Sequence, residues 1–429
     1  MLAPGNKHVA IIGGGYAGMA AAVTLAQHGV KVTVYEAGKV LGGRARQVAH
    51  PHSATPLDNG QHLLLGAYRT TLGLARLVAP NARLWLRQPL QLHTLAGLQL
   101  RAPRLPAPFN ILLALLSAQG ISVRHRLAAL MFMLRQHLQG YQLSHDLPLA
   151  ELLASQPPAL TSLLWEPLCL AALNTPVASA SAQVFLNVLR DSLSRNRKDS
   201  DLILPAVDLS TFFPAAAAAY VCARGGEILL RQRVKQIVAN DAGYSVNTQS
   251  YSDIICAVAP HQVADLTSDF AALAVINQQI AKFHYQPITT IYLQYPPQVR
   301  LQRAMTGLAD SLGQWVFDRG ISHQQHGLLA VVISVTNTHS QFNQDALIAR
   351  ITLELQRAFA IPVEPLWRQI IVEKRATFSC DAGLARPPQR TPLAHFYLAG
   401  DYTASDYPAT LEAATQSGVK CATWILTQS

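Results

Sequence analysis

Lys7 to Glu36 reads KHVAIIGGGYAGMAAAVTLAQHGVKVTVYE, and this stretch decides the fold. Lys7 to Ile12 has the continuous apolar run of a buried parallel strand. It enters Gly13-Gly14-Gly15-Tyr16-Ala17-Gly18, after which Met19 to His28 reads as an Ala-rich helix and Val30 to Tyr35 as a second strand. Glu36 then stands 18 residues after Gly18. Strand, glycine turn, helix, strand and acid in that order are the parts of a dinucleotide site. Gly13 permits the tight turn, Gly15 lets the backbone approach a pyrophosphate, and Gly18 lets the helix pack on the strand. The helix N-terminus offers free N–H groups and the positive end of its dipole. Glu36 is expected to accept hydrogen bonds from ribose hydroxyls.

Other pieces of chain continue this pattern. Leu41-Gly42-Gly43-Arg44-Ala45 follows Glu36 after four residues. Ala223 to Ile228 carries a glycine turn before a strand, with Val234 and Ile237 beyond it, and Tyr251 to Pro260 reads as a further buried strand. At the far end, Phe396 to Ala399 is a short apolar strand that delivers Gly400-Asp401. Pro408-Ala409-Thr410-Leu411-Glu412 and a helix over Ala413 to Ile425 follow. A cofactor domain assembled from residues 1–75, 205–270 and 375–429 is expected. Residues 76–204 and 271–374 are left to form a substrate and membrane-facing domain.

The Leu41 to Ala45 motif resembles the extension found in flavoproteins of the FAD-dependent amine oxidase and carotenoid desaturase superfamily. DNGQHLLLG (Asp58 to Gly66), HYQPITTIYLQY (His284 to Tyr295), GQWVFDRG (Gly313 to Gly320) and YPATLEAA (Tyr407 to Ala414) bring the likeness closer. Together they resemble the hydroxysqualene dehydroxylase family of bacterial hopanoid synthesis, also called squalene-associated FAD-dependent desaturases. The likeness is most specific at residues 9–66 and 284–320 and weakest from about Pro103 to Asp201. Ala413 departs from it, at a place where a second small glycine is expected.

The resemblance implies an α/β protein with a Rossmann-like, p-hydroxybenzoate-hydroxylase-like FAD-binding domain and a substrate domain of mixed sheet and helices. It implies noncovalent FAD, held by Gly13, Gly15, Tyr16, Ala17, Gly18, Glu36 and Ala37, by Gly42, Gly43 and Arg44, by Gly60, Gln61 and His62, by Val234, and by Gly400, Asp401, Pro408, Ala409 and Thr410. Arg44 would face phosphate or flavin, Asp401 the ribitol or a phosphate-bridging water, Val234 the adenine, and the helix after Thr410 the flavin pyrimidine. The implied reaction removes the hydroxyl of hydroxysqualene, a C30 allylic alcohol, to give squalene with hydride from reduced flavin N5. A polyene desaturase or amine oxidase running the flavin oxidatively is the alternative. A non-catalytic lipid-binding protein of the same fold is the alternative from another class.

Hydroxide leaves poorly, so this chemistry needs a proton donor and a dry slot. His62 and Asp58 are the candidate donor and orienting pair, with Asp58 raising the imidazole's pKa. Against this, Asp58 could cap the following turn while His62 merely packs beside the flavin. Tyr407 is a further donor candidate or an aromatic that closes the pocket. The reductant that recharges the flavin and the oligomeric state are open at this level.

Composition narrows the partners. Of 429 residues half are apolar and 14% are charged, which excludes a disordered chain. The net charge of +10 comes from 34 basic and 24 acidic residues. The bias is strongest early, and its charges are diluted in Leu and Ala rather than striped with aromatics. Nucleic acid is therefore not expected and an anionic membrane surface fits better. The five cysteines make no CxxC pair and the histidines no metal spacing, so neither a disulfide framework nor a bound metal is expected. Met1 to Lys7 leads into the short run Val9 to Gly15 rather than an apolar signal core, so export is not expected. The longest central apolar stretch, Leu105 to Ala118, is interrupted by prolines and is too short to span a bilayer. With Arg124, His125, Arg126 and Arg135 it could lie at headgroup level, with Leu112, Leu113 and Leu116 toward the acyl chains. A cytoplasmic protein attached peripherally to the inner membrane is expected. The Leu/Ala-rich stretches Pro108 to Tyr141, Leu147 to Leu173 and Ala182 to Leu193 would be helices roofing a long hydrophobic pocket. Ile288 to Tyr295, Gln314 to Asp318 and Leu328 to Val335 would be strands beneath them.

Overall fold

The computed structural model describes residues 7–53, 55–95, 97–241, 243–309, 311–335 and 342–428. Met1 to Asn6, most of the segment read above for export signals, lies outside them. In chain order the two large sheets are built from β1 (His8–Ile12), β2 (Lys31–Glu36), β3 (Glu227–Leu230), β4 (Asp253–Cys256), β5 (Tyr285–Gln294), β6 (Met305–Gly307), β7 (Trp315–Asp318), β8 (Leu328–Ser334), β9 (Trp367–Phe378) and β10 (Phe396–Leu398). The principal helices are α1 (Tyr16–Gln27), α2 (Arg69–Val78), α3 (Phe109–Leu116), α4 (Val123–Leu138), α5 (Glu166–Leu173), α6 (Ala182–Leu189), α7 (Gln344–Phe359) and α8 (Leu411–Thr427).

The first sheet runs β3-β2-β1-β4-β10 and is parallel throughout. Its strands come from residues that are far apart in the chain. Val9 to Ile12 are buried because the parallel sheet is covered on both faces, which is why the strand reads as an unbroken apolar run. Gly13 leaves β1 at φ +112°, and a Cβ there would stand 2.6 Å from the Ala257 carbonyl oxygen at the end of β4. A Cβ on Gly18 would meet the Gly13 carbonyl oxygen at 2.0 Å, so this glycine sets how closely α1 sits on its own turn. The helix starts at Tyr16, earlier than the apolar run suggests, because Gly15 is its N-cap. The strand expected over Tyr251 to Pro260 is divided. Gln249–Tyr251 closes a small antiparallel sheet, and β4 begins after Ser252, whose N–H donates to the His8 carbonyl at 2.9 Å.

The second sheet runs β6-β7-β8-β5-β9 and is antiparallel. Period-two alternation splits its faces. Ile291, Leu293, Leu329, Val331 and Ile333 pack on Leu347, Ile348, Ile351 and Leu355 of α7. Ile288, Phe317 and Val332 face the other way, toward Leu57, Leu202 and Leu204. Helices α3 to α6 close over that face, joined in one apolar cluster in which Phe132 and Trp165 pack at 4.9 Å between ring centroids. A parallel nucleotide-type sheet and an antiparallel sheet with a helical roof thus stand side by side, the α/β architecture expected from sequence.

Candidate active site

One cavity of about 1650 Å³ runs along both sheets. Single small-molecule pockets occupy roughly 300–1,000 Å³, so this one has room for two molecules. One arm is lined by Gly13, Gly15, Tyr16, Ala17, Glu36, Ala37, Gly42, Gly43, Val234 and Gly400. The other is lined by apolar side chains of the roof and floor, among them Ile111, Leu115, Met133, Leu168, Val188, Ile288 and Val332. Arg44, Gly60, Gln61, His62, Asp401, Ala409 and Thr410 stand along the same wall. Of the residues expected to meet the cofactor, Gly18 and Pro408 do not line the cavity, and neither do Asp58 and Tyr407.

The glycine arm has the chemistry of an anion cradle. No side chain caps α1, and its first turn carries no acid, so its leading N–H groups keep their donor capacity. A Cβ on Gly15 would meet only Gly43 Cα, at 3.9 Å, and would otherwise fill the cradle. Gly42 closes the wall by donating from its N–H to the Gly14 carbonyl at 2.9 Å. The Glu36 carboxylate accepts from the N–H groups of Gly14 at 2.9 Å and Gly38 at 2.6 Å. It therefore shapes the turn as well as facing the cavity, and each oxygen retains a further acceptor site.

Two residues from opposite ends of the chain meet at the middle of the cavity. Arg44 Nη2 donates to Asp401 Oδ1 at 2.5 Å, and Arg44 Nη1 donates to the Ala376 carbonyl at 2.8 Å. The guanidinium expected on phosphate or flavin thus also clamps the C-terminal Gly-Asp turn to β9. Beyond it Thr410 caps α8, its Oγ1 accepting from the Ala413 N–H at 3.1 Å. Ala413 is buried there without displacing the cap, so glycine is not needed at that position.

The Asp58 to His62 loop differs from expectation. The Asp58 carboxylate is buried and accepts from the Leu209 N–H at 2.8 Å and from Arg319 Nη1 at 3.0 Å. It neither caps its own turn nor pairs with His62, because Arg319 outcompetes both. Burial pushes the Asp58 pKa up, opposed by Arg319. His62 Nδ1 lies 2.8 Å from the Gly60 carbonyl, an acceptor only, so Nδ1 carries the proton and Nε2 the lone pair of the neutral ring. Burial lowers the His62 pKa more than Asp58 raises it. Arg319 Nη1 also donates to Gln61 Oε1 at 2.8 Å, which locks the loop from behind. Tyr407 turns its hydroxyl to Asp191, and its ring stands edge-on to Tyr68 at 6.3 Å.

Sequence reasoning missed several residues here, Tyr68 among them. It lines the cavity, as Tyr402 does, and burial raises the pKa of both phenols. Arg319 lies in the GQWVFDRG stretch that carried the resemblance, so a signal existed, but not for its partner. Glu412 is buried, accepting from the N–H groups of Thr70 and Thr71, each at 2.9 Å, and so capping α2. Among the described residues no cluster of side chains could hold a metal ion, and no helix is long and apolar enough to cross a membrane.

The model of the flavin containing amine oxidoreductase family matches residues 16–426. The chain belongs to that family. Like its other members it is a flavin-dependent oxidoreductase, with FAD as cofactor, and the uncapped α1 terminus beside an open glycine cradle suits a dinucleotide pyrophosphate. Among curated members, the chain is 25% identical to the hydroxysqualene dehydroxylase of Zymomonas mobilis, covering 98% of this chain and 99% of that one. It is 28% identical to the hydroxysqualene dehydroxylase of Rhodopseudomonas palustris, again over 98% and 99%. Zeta-carotene desaturase of Synechocystis is 22% identical over 97% of each chain. The fold matches that of a putrescine oxidase triple mutant with a TM-score of 0.76 at 16% identity, covering 99% of each chain. It matches cyclohexylamine oxidase of Brevibacterium oxydans with a TM-score of 0.69 at 17% identity, covering 98% of each chain.

Proposed function

We propose that this flavoprotein is a hydroxysqualene dehydroxylase, which replaces the allylic hydroxyl of a C30 isoprenoid by hydrogen to give squalene. The observation that carries this reading is full-length similarity to three hydroxysqualene dehydroxylases, at 25%, 28% and 26% identity. The cavity supports it, since an apolar arm opening from a nucleotide cradle suits a hydrocarbon with one polar group. In the reaction a C–O bond breaks, a C–H bond forms, and the oxygen leaves as water with one added proton. Reduced FAD, when bound, supplies the hydride.

The chain's own residues do the remaining work. Gly13, Gly15 and the α1 N-terminus would hold the pyrophosphate, with Gly42 and Gly43 closing the cradle, and Glu36 would take the adenosine ribose. The Arg44–Asp401 pair holds the two ends of the cofactor site together. His62 faces the substrate oxygen through Nε2, and as imidazolium it donates the proton that lets water leave. Arg319 and Asp58 are positioning residues that hold its loop. The apolar walls exclude water, which protects the allylic cation.

A C30 chain does not travel through water. At about 0.8 kcal/mol per buried CH₂, leaving a bilayer for solvent would cost on the order of 20 kcal/mol. On this reading the protein is a peripheral enzyme that meets its substrate at a membrane surface. Dithionite-reduced enzyme incubated anaerobically with hydroxysqualene should yield squalene, detected by gas chromatography and mass spectrometry. Failure of that conversion, with desaturation of phytoene or squalene by the oxidised enzyme instead, would transfer the chain to the polyene desaturases.

A further inference from the structure

We infer that the α3–α4 helix pair is the face that docks on an anionic lipid bilayer, and that it is at the same time a wall of the substrate cavity through which the apolar chain enters. On α4, Val123, Leu127, Met131, Leu134 and Leu138 are exposed. Their spacing of four, four, three and four residues puts them on one side of the helix. Met131 is 61% exposed and Leu138 78%, values unusual for large apolar side chains on a protein that meets only water. Phe109, Leu113 and Leu116 of the neighbouring α3 are exposed as well. Leu112, placed toward the acyl chains on sequence grounds, is half-buried, and the centre of the surface moves from α3 to α4.

The opposite faces of these two helices line the cavity, through Ile111 and Leu115 of α3 and Met133 of α4. Only one layer of helix separates the outer apolar surface from the substrate arm. Helices of 8 and 16 residues are too short to span a bilayer and suit a position parallel to its plane.

Charge selects the occupant. Between Asp58 and Asp146 the chain has no Asp or Glu, yet it has nine arginines. Arg101, Arg104, Arg124 and Arg135 are exposed around the apolar surface. A cleft of about 540 Å³ brings Arg101 and Arg104 beside Leu113, setting cationic heads next to an apolar side chain as a phospholipid interface requires. A second copy of this chain would bring the same four exposed arginines against them and be repelled.

This placement rests on the reading that the cavity takes a bilayer-dissolved chain, and the test separates the two. Flavin-loaded protein is sedimented with vesicles of phosphatidylcholine alone and of phosphatidylcholine mixed with phosphatidylglycerol. Binding should favour the mixed vesicles and weaken at least about tenfold in L127S/M131S and in R124Q/R135Q, with thermal melting unchanged. L127S/M131S should turn over detergent-dispersed hydroxysqualene normally and vesicle-embedded hydroxysqualene poorly. Unchanged vesicle binding in both variants would overturn the inference, as would loss of a dimer in L127S/M131S by light scattering. If the native protein binds mixed vesicles through these residues but never converts detergent-dispersed hydroxysqualene, the docking face stands and the dehydroxylase reading falls.

Discussion

Arg319 and Asp58 form an ion pair at 3.0 Å in which the two side chains are 0% and 3% exposed. It ties the short helix Arg319–His323 that follows β7 to the loop that carries Gln61 and His62, and Tyr292 joins it by donating from its hydroxyl to the Asp58 carbonyl at 3.0 Å. A buried pair of this kind is costly to break from one side, because the remaining charge is stranded without water. Arg319→Gln is therefore expected to destabilise the protein by about 3–5 kcal/mol in urea unfolding. The double variant D58N/R319Q should recover much of that loss. Additive losses would mean that the pair is not coupled.

His323 lies under the same pair, its Nε2 3.9 Å from Asp58 Oδ2. Burial, reinforced by Arg319, lowers its pKa to about 2. A depressed folded-state pKa gives stability that is fully present above the free histidine value of about 6.5 and is lost as pH falls. Between pH 7 and pH 5 the native protein should lose about 2 kcal/mol more stability than His323→Gln. Parallel stability curves for the two proteins would contradict this origin.

The His62 proposal predicts a pH profile. The proton-donating form is the imidazolium, and burial lowers its pKa, so kcat/KM should rise as pH falls below about 6.5. His62→Asn should lower kcat by roughly a hundredfold or more and remove that limb. A His62→Asn enzyme that keeps the native profile would assign the proton to another group, with Tyr68 the next to examine.

Two glycines of the same turn should fail in different ways. Gly18→Ala drives a methyl into the Gly13 carbonyl, so α1 must shift and the apoprotein should melt at lower temperature. Gly15→Ala meets no protein atom closer than 3.9 Å, so the apoprotein should melt normally. Its flavin affinity should still fall by roughly tenfold or more, since the methyl occupies the cradle. Equal flavin affinity in Gly15→Ala, read from the bound-flavin absorbance after gel filtration, would remove the pyrophosphate from this place.

The membrane reading shows how far a linear pattern reaches. The sequence pointed to Leu105 through Leu116 because that run is dense in leucine. Density does not report direction, and in the folded chain Ile111 and Leu115 turn inward to the cavity. The α4 side chains drew less notice because Arg, His and Gln interrupt them in the linear order.

β1, α1 and β2 could be read from the sequence because each step is local: an apolar run, a glycine turn, a helix and an acid within thirty residues. The C-terminal Gly-Asp turn and α8 were legible for the same reason. The structure alone decided which partners meet across the chain. Arg319 reaches Asp58 over a separation of 261 residues, and Glu412 reaches Thr70 over 342. A carboxylate that looks like a catalytic acid in sequence becomes a structural anion once a buried guanidinium lies against it, and no local pattern encodes that approach.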